Sequence, residues 1–267
     1  MRRDLIVFLL LLIVLVGAED MKTDYDTHTL KTNSRRDYYL NPKAKHKMTI
    51  IVLHGLADQS DEFIKMFEME EYNMTLPNAR IVSLNGEERD ISQAYYTRMN
   101  SWYDDMTTHE KPDDYTLINT EQLTDSTDLV METILEESDK LKGDTSKIVL
   151  VGHCQEACLA YNTLLKSDLE LDAIFGVNGY MPPFKESDIT EKMKKVPILS
   201  FHGKDNEMVY ERAHKRGYEA FKKLGLNINY KVETGVGHWI SAETFKKFQD
   251  FLYLRKIHPH SLDEENN

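Results

Sequence analysis

Short apolar runs that alternate with helical segments constrain the fold of this chain more than any other feature of the sequence. Six such runs are rich in β-branched residues and end in glycine or a polar turn; they cover residues 47–55, 79–84, 146–152, 171–179, 196–203 and 227–235. Near-continuous apolar runs of this length are typical of strands buried on both faces. Their alternation with helices predicts an α/β fold, with a mostly parallel sheet covered by helices on both faces.

Three segments between or after these runs have helical spacing. Residues 121–141 place apolar side chains along one stripe, namely Leu123, Val130, Ile134, Leu135 and Leu141. Residues 210–224 are followed by Gly225, a residue that often ends helices. A last helix is expected to begin at Ser241 and to turn Phe245, Phe248 and Leu252 inward. Residues 87–116 lack a clean period, so we expect an irregular excursion over the sheet, the kind of long segment that tends to line sites.

The first eighteen residues have the pattern of a cleavable secretory signal. Arg2 and Arg3 precede an apolar run from Leu5 to Val16, and small residues follow. About twelve apolar residues are too few for a stable transmembrane span, which needs about twenty. We therefore expect secretion or residence in the lumen of the secretory pathway, with an uncleaved signal anchor as the alternative. In an exported chain, Asn73 in the sequence NMT would be a glycosylation acceptor.

Length and charge limit the domain organisation and the classes of partner. The 267 residues are enough for one sizeable core. We predict a signal peptide at 1–18, an N-terminal extension at 19–46, one catalytic-type domain at 47–257 and a flexible tail at 258–267. The net charge of −12 disfavours a nucleic-acid partner, because binding to phosphates depends on clustered Lys and Arg.

One corner between a strand and a helix carries a thiol. Residues 148–161 read IVLVGHCQEACLAY, so Cys154 follows an apolar strand and precedes a helix. Reactive groups gather at the carboxyl ends of parallel strands, and other ends carry Asp205 with Asn206 and, later, His238. The chain order of nucleophile, acid position and histidine is that of α/β-hydrolases.

Five ordered motifs resemble those of the acyl-protein thioesterases and the related carboxylesterases and lysophospholipases. HGLAD at 54–58 resembles the family's HGLGD, and SWYD at 101–104 its SWFD. GHCQEA at 152–157 resembles GFSQGG, HGKDNEMV at 202–209 resembles HGxxDxxV, and GVGH at 235–238 resembles the histidine loop. The resemblance covers nearly all of residues 47–255 and implies an α/β-hydrolase fold with an acyl ester or thioester as substrate.

The resemblance also implies roles for individual residues. Cys154 stands at the nucleophile position, His238 at the base, and Asn206 at the acid that orients the base, with Asp205 as the alternative orienter. The backbone N–H groups of Leu56 and Gln155 would form the oxyanion hole. By the same resemblance, an aromatic pair, Trp102 and Tyr103, would wall an acyl groove.

Three substitutions separate the chain from the family pattern, and they leave two functions open. Cysteine replaces serine and asparagine replaces aspartate, changes that partly compensate because a thiol can form an ion pair with imidazole beside a neutral amide. Glu156 replaces the second glycine of the corner, where it must lean out or push the helix away, and its charge would raise the thiol's pKa. We expect a Cys-His-Asn hydrolase or, as the alternative, an inactive homologue that serves as a binding or scaffold protein. No cofactor or metal ligand pattern is present, and the acyl length and the oligomeric state stay open.

Overall fold

A computed structural model describes residues 27–65, 76–105 and 117–257. Within these ranges the strands are β1 His28–Thr32, β2 Tyr38–Pro42, β3 Met48–Leu53, β4 Ala79–Leu84, β5 Glu87–Ile91, β6 Thr97–Ser101, β7 Ile148–His153, β8 Ala173–Val177, β9 Ile198–Gly203 and β10 Ile228–Glu233. The α-helices are α1 Ser60–Lys65, α2 Thr120–Lys140, α3 Gln155–Lys166, α4 Glu211–Lys223 and α5 Ala242–Ile257. The predicted signal, Asn73 and the tail from residue 258 lie outside the described residues.

Eight of these strands form one sheet in the order β1-β2-β4-β3-β7-β8-β9-β10. In that order, every pair from β4 to the far edge at β10 is parallel, which confirms the predicted α/β-hydrolase fold. All six predicted strands are present with boundaries close to those expected. Because β3, β7, β8 and β9 are neighbours, their carboxyl ends lie side by side at one edge of the sheet.

The N-terminal part of the sheet differs from the prediction. β1 and β2 pair antiparallel, and β2 continues antiparallel onto β4. The described part of the segment predicted as an extension, 19–46, therefore belongs to the domain, and the predicted start at residue 47 is too late. Both strands are short and only partly buried, so they lack the apolar run that marks a central strand.

Two clusters of buried residues lie on opposite faces of the sheet. In β3, Ile51 and Leu53 face the cluster that contains α2 and α3, whereas Ile50 and Val52 face the cluster that contains α5. Phe245, Phe248 and Leu252 are buried as expected. In α2 the predicted stripe is buried except for Leu135, which is 52% exposed. Within the described ranges, no helix combines the length and the apolar character needed to cross a membrane.

The segment predicted as irregular begins with a regular hairpin. β5 and β6 pair antiparallel as a separate two-stranded sheet. Their turn contains Tyr95 and Tyr96, both with left-handed backbone and both exposed. The two strands, EERDI and TRMNS, are mostly polar or charged and lack an alternation of apolar and polar residues, so they carry no strand signal. The end of β6 and the two residues after it, 101–103, lie beside Gln155.

Candidate active site

Cys154 occupies a strained turn between β7 and α3. Its φ of 64° and ψ of −121° lie outside the regions that non-glycine residues normally populate. The strand and the helix hold it there: the Cys154 N–H donates to the Val177 carbonyl at 2.9 Å, and the Cys154 carbonyl accepts from the Ala157 N–H at 3.2 Å. The residue as a whole is neither fully buried nor fully exposed. This is the geometry of a nucleophile at a strand-to-helix corner.

Two glycines allow the chain to pack closely at this corner. A Cβ at Gly152 would overlap the backbone of Glu156, and one at Gly179 would overlap the Ala157 side chain and the Cys154 carbonyl. Neither neighbour can move without displacing α3. The glycines therefore fix the distance between the helix and the sheet.

Gly152→Ala is expected to destabilise the fold by about 1–3 kcal/mol or more, because the added methyl meets backbone atoms rather than a flexible side chain. The free energy of unfolding in urea measures this effect. Gly143→Ala is the control, since its surroundings are open and only its positive φ adds a cost, about 1 kcal/mol. Equal losses in the two variants would contradict the tight contact.

His238 and Asn206 form the second part of the site. The His238 Nδ1 lies 3.1 Å from the Asn206 Oδ1, although 32 residues separate them in the chain. The same Oδ1 accepts the backbone N–H groups of Met208 at 2.9 Å and Val209 at 3.0 Å. These two donors fix which end of the amide faces the ring. His238 must therefore donate through Nδ1, which leaves Nε2 as the unprotonated nitrogen.

Asn206, rather than its neighbour, makes the contact that orients His238. Asp205 is exposed, and its backbone N–H donates to the Val236 carbonyl. The Asn206 Nδ2 is buried without a hydrogen-bond partner among the described residues. Two N–H groups of this loop and the His238 ring thus share one oxygen of Asn206, whereas the amide nitrogen has no acceptor among the described residues.

Asn178, a residue not singled out from the sequence, holds the loop that carries His238. Asn178, which follows β8, donates through Nδ2 to the Trp239 carbonyl at 3.0 Å and accepts the Gly203 N–H through Oδ1 at 2.8 Å. It joins the ends of β8 and β9 to the histidine loop. Its signal in the sequence was the pair Asn178-Gly179 after an apolar strand, since Asn tolerates the left-handed backbone found there.

The structure favours a neutral thiol and a neutral imidazole over the ion pair that these two groups can form. Burial, and then the charge of Glu156, raise the pKa of Cys154 well above its ordinary value. Burial, and then His153, lower the pKa of His238 well below its ordinary value. The His153 ring lies 4.9 Å from the His238 ring and brings the second part of the site beside the corner. Within the described residues, no hydrogen bond joins the Cys154 thiol to the His238 ring.

Glu156 is buried at the corner instead of leaning out. It lies in the first turn of α3, and neither carboxyl oxygen has a hydrogen-bond partner among the described residues. Burial raises the pKa of Glu156 well above its ordinary value. Its effect on the thiol was expected from the sequence, but its burial was not. An unpartnered buried carboxyl is stable only in its neutral form.

A second carboxyl, Asp58, lies half-buried on the loop after β3. Burial, and then the charge of Glu62, raise the pKa of Asp58 to about 6, against a backbone hydrogen bond to Gly55 that lowers it. The Asp58 charge adds to the effect of burial in raising the pKa of Glu156. In their ionised forms, both carboxyl groups oppose the formation of a thiolate at Cys154.

The two backbone groups predicted for the oxyanion hole flank the corner. Gln155 is the first residue of α3, and its N–H lies close enough to the Cys154 sulfur to lower the thiol's pKa. Leu56 lies on the loop after β3, and its N–H has no acceptor among the described residues, whereas the next two N–H groups, of Ala57 and Asp58, are bonded within the protein. Both groups therefore remain available to a ligand.

Trp102 and Tyr103 are fully buried and contact the corner rather than an open groove. The Trp102 N–H donates to the Gln155 Oε1 at 3.0 Å, and the Tyr103 hydroxyl donates to the Gln155 carbonyl at 3.1 Å. Neither ring reaches the surface, and both residues hold Gln155 in place through these hydrogen bonds. Contact with an acyl chain stays a prediction.

The remaining histidines near the site are held by backbone groups. The His54 Nε2 accepts the Gly86 N–H at 2.7 Å, so its Nδ1 donates to the Gly55 carbonyl. The His202 Nε2 contacts the Val209 carbonyl at 2.9 Å. Burial lowers the pKa of both rings to about 4. In the part of the chain that the structure describes, no group of three His, Cys, Asp or Glu side chains could hold a metal ion.

Comparison with known proteins agrees with this architecture. The family model of phospholipases and carboxylesterases matches residues 39–256. Acyl-protein thioesterase 1 homolog 1 of Dictyostelium discoideum is 25% identical over 224 residues, which cover 84% of this chain and 97% of the relative. Acyl-protein thioesterase 1 of Candida albicans is 24% identical over 222 residues, covering 77% and 91%.

Solved structures share the fold. A variant of SOBER1 from Arabidopsis thaliana superposes with a TM-score of 0.71 at 22% identity, covering 79% of this chain and 99% of that one. Acyl-protein thioesterase 2 of Zea mays superposes with a TM-score of 0.66 at 20% identity, covering 82% and 97%. The region that the family model matches includes the whole corner, the His238 loop and most of β2. The chain belongs to the phospholipase/carboxylesterase family of α/β-hydrolases.

Proposed function

We propose that this chain hydrolyses carboxylic esters or thioesters through Cys154, His238 and Asn206. The observation that carries the proposal is the hydrogen bond between His238 and Asn206 beside a cysteine held in a strained turn. Backbone strain at one residue persists only where the surroundings impose it, and it is typical of functional sites. The names of the acyl-protein thioesterase relatives support an acyl thioester as one substrate class.

The neutral state of the two groups determines the first step. The Cys154 sulfur attacks the carbonyl carbon as its proton passes to the His238 Nε2, so a carbon–sulfur bond forms without a standing thiolate. The N–H groups of Leu56 and Gln155 donate to the developing oxyanion. When the intermediate collapses, the bond to the leaving alcohol or thiol breaks, and the leaving group takes the proton from His238.

Water completes the cycle. It attacks the acyl-cysteine carbonyl while the His238 Nε2 accepts one of its protons. Collapse of this second intermediate releases the carboxylic acid, and the Cys154 sulfur takes the proton back. Asn206 holds the ring in the Nδ1–H form throughout both steps.

Cys154→Ala is expected to reduce turnover of a short-chain p-nitrophenyl ester, or of an acyl thioester, to the rate without protein. The reason is that the proposed mechanism has no other nucleophile at the corner. Cys158→Ala is the matched control, because Cys158 is a fully buried thiol one helical turn away. Equal turnover by the wild type and Cys154→Ala would remove the proposal.

A binding or scaffold protein is the second candidate function. It is favoured by the raised pKa of Cys154, the lowered pKa of His238 and the buried Glu156 carboxyl. These features oppose charge separation at the site. An inert wild type that still binds an acylated peptide would support this candidate.

We further propose that the chain is exported, on the strength of its first eighteen residues. Expression in a eukaryotic secretory host should yield a mature N-terminus near Glu19 and a glycan at Asn73. N-terminal sequencing and a mass shift after glycosidase treatment measure these two outcomes. An intact Met1 on a membrane-bound product would instead indicate the signal anchor.

A further inference from the structure

Residues 101–103, here called the Trp102 segment, hold the side chain of Gln155 through both its oxygen and its nitrogen. The Gln155 Oε1 accepts from the Ser101 hydroxyl and from the Trp102 N–H, both at 3.0 Å, and its Nε2 donates to the Tyr103 carbonyl at 2.9 Å. The Ser101 hydroxyl also lies 2.7 Å from the Tyr103 carbonyl. All these groups are buried. The first residue of α3 is therefore fixed by this segment and not only by its own helix.

The same segment reaches the other half of the oxyanion hole. The Trp102 Nε1 donates to the His54 carbonyl at 3.0 Å, two residues before Leu56. His54 is held from its other side by the Gly86 N–H, and its ring lies 5.4 Å from the Trp102 ring. One residue, Trp102, thus connects the loop after β3 to the start of α3.

Further hydrogen bonds hold the Trp102 segment against α2 and the residues after β8. The Tyr103 hydroxyl lies 2.8 Å from the Tyr180 hydroxyl, which donates to Asp105 at 2.6 Å. The Ser126 hydroxyl of α2 donates to the Trp102 carbonyl. The segment is therefore tied to α2 and to the residues after β8, so it has little freedom to shift.

We infer that Ser101 and Trp102 are positioning residues that set the separation of the Leu56 and Gln155 N–H groups. This inference rests on the proposed function and deepens it. An oxyanion hole works only when its donors are fixed at the place where charge develops, since groups that must reorganise lose most of their effect. A displacement of about 1 Å in such a site can cost about 100-fold in rate.

Trp102→Phe and Ser101→Ala test the inference. The first removes the Nε1–H that reaches His54 and keeps an aromatic ring; the second removes one donor to Gln155 with a minimal change of volume. Each is expected to lower kcat for a short-chain ester by about 10-fold to 100-fold, with KM changed by less than about threefold. The rate of Cys154 alkylation by iodoacetamide should stay within about twofold of wild type, because that displacement develops no oxyanion.

A control variant separates this role from general packing. Thr163→Val removes another fully buried hydroxyl, one that bonds to the Leu159 carbonyl within α3 and touches neither oxyanion group. It should leave both kcat and alkylation unchanged. If Trp102→Phe fails to fold, Ser101→Ala decides the result alone.

Failure of the positioning role and failure of the proposed function are distinguishable. Variants with wild-type kcat, or variants in which alkylation falls in parallel with turnover, would overturn the positioning role while leaving the proposed function intact. A wild type whose turnover equals that of Cys154→Ala would overturn the proposed function, and the positioning role with it.

Discussion

A chain with Cys154→Ser alone is expected to turn over an ester about 10⁴-fold more slowly than a chain with Cys154→Ser and Asn206→Asp together. A serine hydroxyl needs a base whose positive charge is stabilised as it takes the proton, and an amide does not provide that stabilisation. A thiol ionises far more readily, so cysteine depends less on the orienting group. Under the proposed function, Cys154 and Asn206 therefore act as a matched pair.

The structure indicates that Asn206→Asp will be accommodated. The Asn206 Oδ1 already receives the Met208 and Val209 N–H groups and faces the His238 Nδ1–H. The Asn206 Nδ2 has no acceptor to lose among the described residues. A carboxylate in this place should also raise the pKa of His238, which the ring proton shifts in an NMR titration would report.

Two further results complete this test. Asn206→Asp in the Cys154 background should change turnover by less than about tenfold, because the thiol does not need the carboxylate. The contrary result would be equal, slow turnover by Cys154→Ser with and without Asn206→Asp, although Asn206→Asp has raised the pKa of His238. That result would show that the amide is not what limits serine at this corner.

Glu156→Gln is expected to abolish a pH-dependent loss of stability. In the wild type, the free energy of unfolding should fall by as much as about 1.4 kcal/mol per pH unit at neutral and alkaline pH. Burial raises the pKa of Glu156 above its ordinary value of 4.5, so the folded chain retains a proton that the unfolded chain releases. The stabilisation from this group is complete below pH 4.5 and is lost as the pH rises toward the folded pKa. The glutamine variant keeps the shape and has no charge to bury.

The buried histidines act in the opposite direction. Burial lowers the pKa of His54, His153 and His202 to about 4, that of His214 to about 3 and that of His238 well below the ordinary value of 6.5. Their contribution is complete above pH 6.5 and is lost as the pH falls through the folded pKa values. The half-buried carboxyl of Asp58, near Glu156, also contributes stability at low pH, and this contribution is lost as the pH rises from 3.8 to about 6. Because these five histidines outweigh the two carboxyls as the pH falls below neutral, the wild type should be most stable at about pH 7.

Urea unfolding at a series of pH values measures both trends. Wild type and Glu156→Gln should have similar stability at pH 4.5 and diverge steadily above it, while their losses on the acid side remain parallel. Alkylation of Cys154 between about pH 7 and 8 should stay close to the wild-type rate in this variant, because a neutral Glu156 has no charge for the substitution to remove. Parallel stability profiles across the whole range would contradict a buried, neutral Glu156.

The fold and the order of the site residues could be predicted from the sequence because they depend on local patterns. Apolar strands that end in glycine define the sheet, and the motifs around Cys154 and His238 mark its carboxyl edge. The antiparallel β1 and β2 escaped prediction because both strands are short and only partly buried. The β5–β6 hairpin escaped because its strands are mostly polar, and pairing between two strands compensates for a weak pattern.

Contacts between distant residues could not be predicted. The burial of Glu156 depends on how closely α3 lies against β7, which Gly152 sets and no local pattern reports. The aromatic residues at 102 and 103 suggested a substrate surface, whereas their hydrogen bonds to Gln155 and His54 depend on a loop and a strand far apart in the chain. The family resemblance placed Asn206 at the position that contacts His238, but the local pattern alone left Asp205 as an alternative.

The backbone at Cys154 has a consequence for variants selected by heat resistance. Only glycine adopts a φ of 64° with a ψ of −121° without a penalty, and for other residues such a conformation costs about 1–3 kcal/mol. A library randomised at this codon and screened for survival at high temperature should therefore enrich glycine, while a screen for catalysis should retain cysteine. The two selections would favour different residues at position 154, because the backbone there is least strained with glycine and the proposed reaction requires the cysteine thiol.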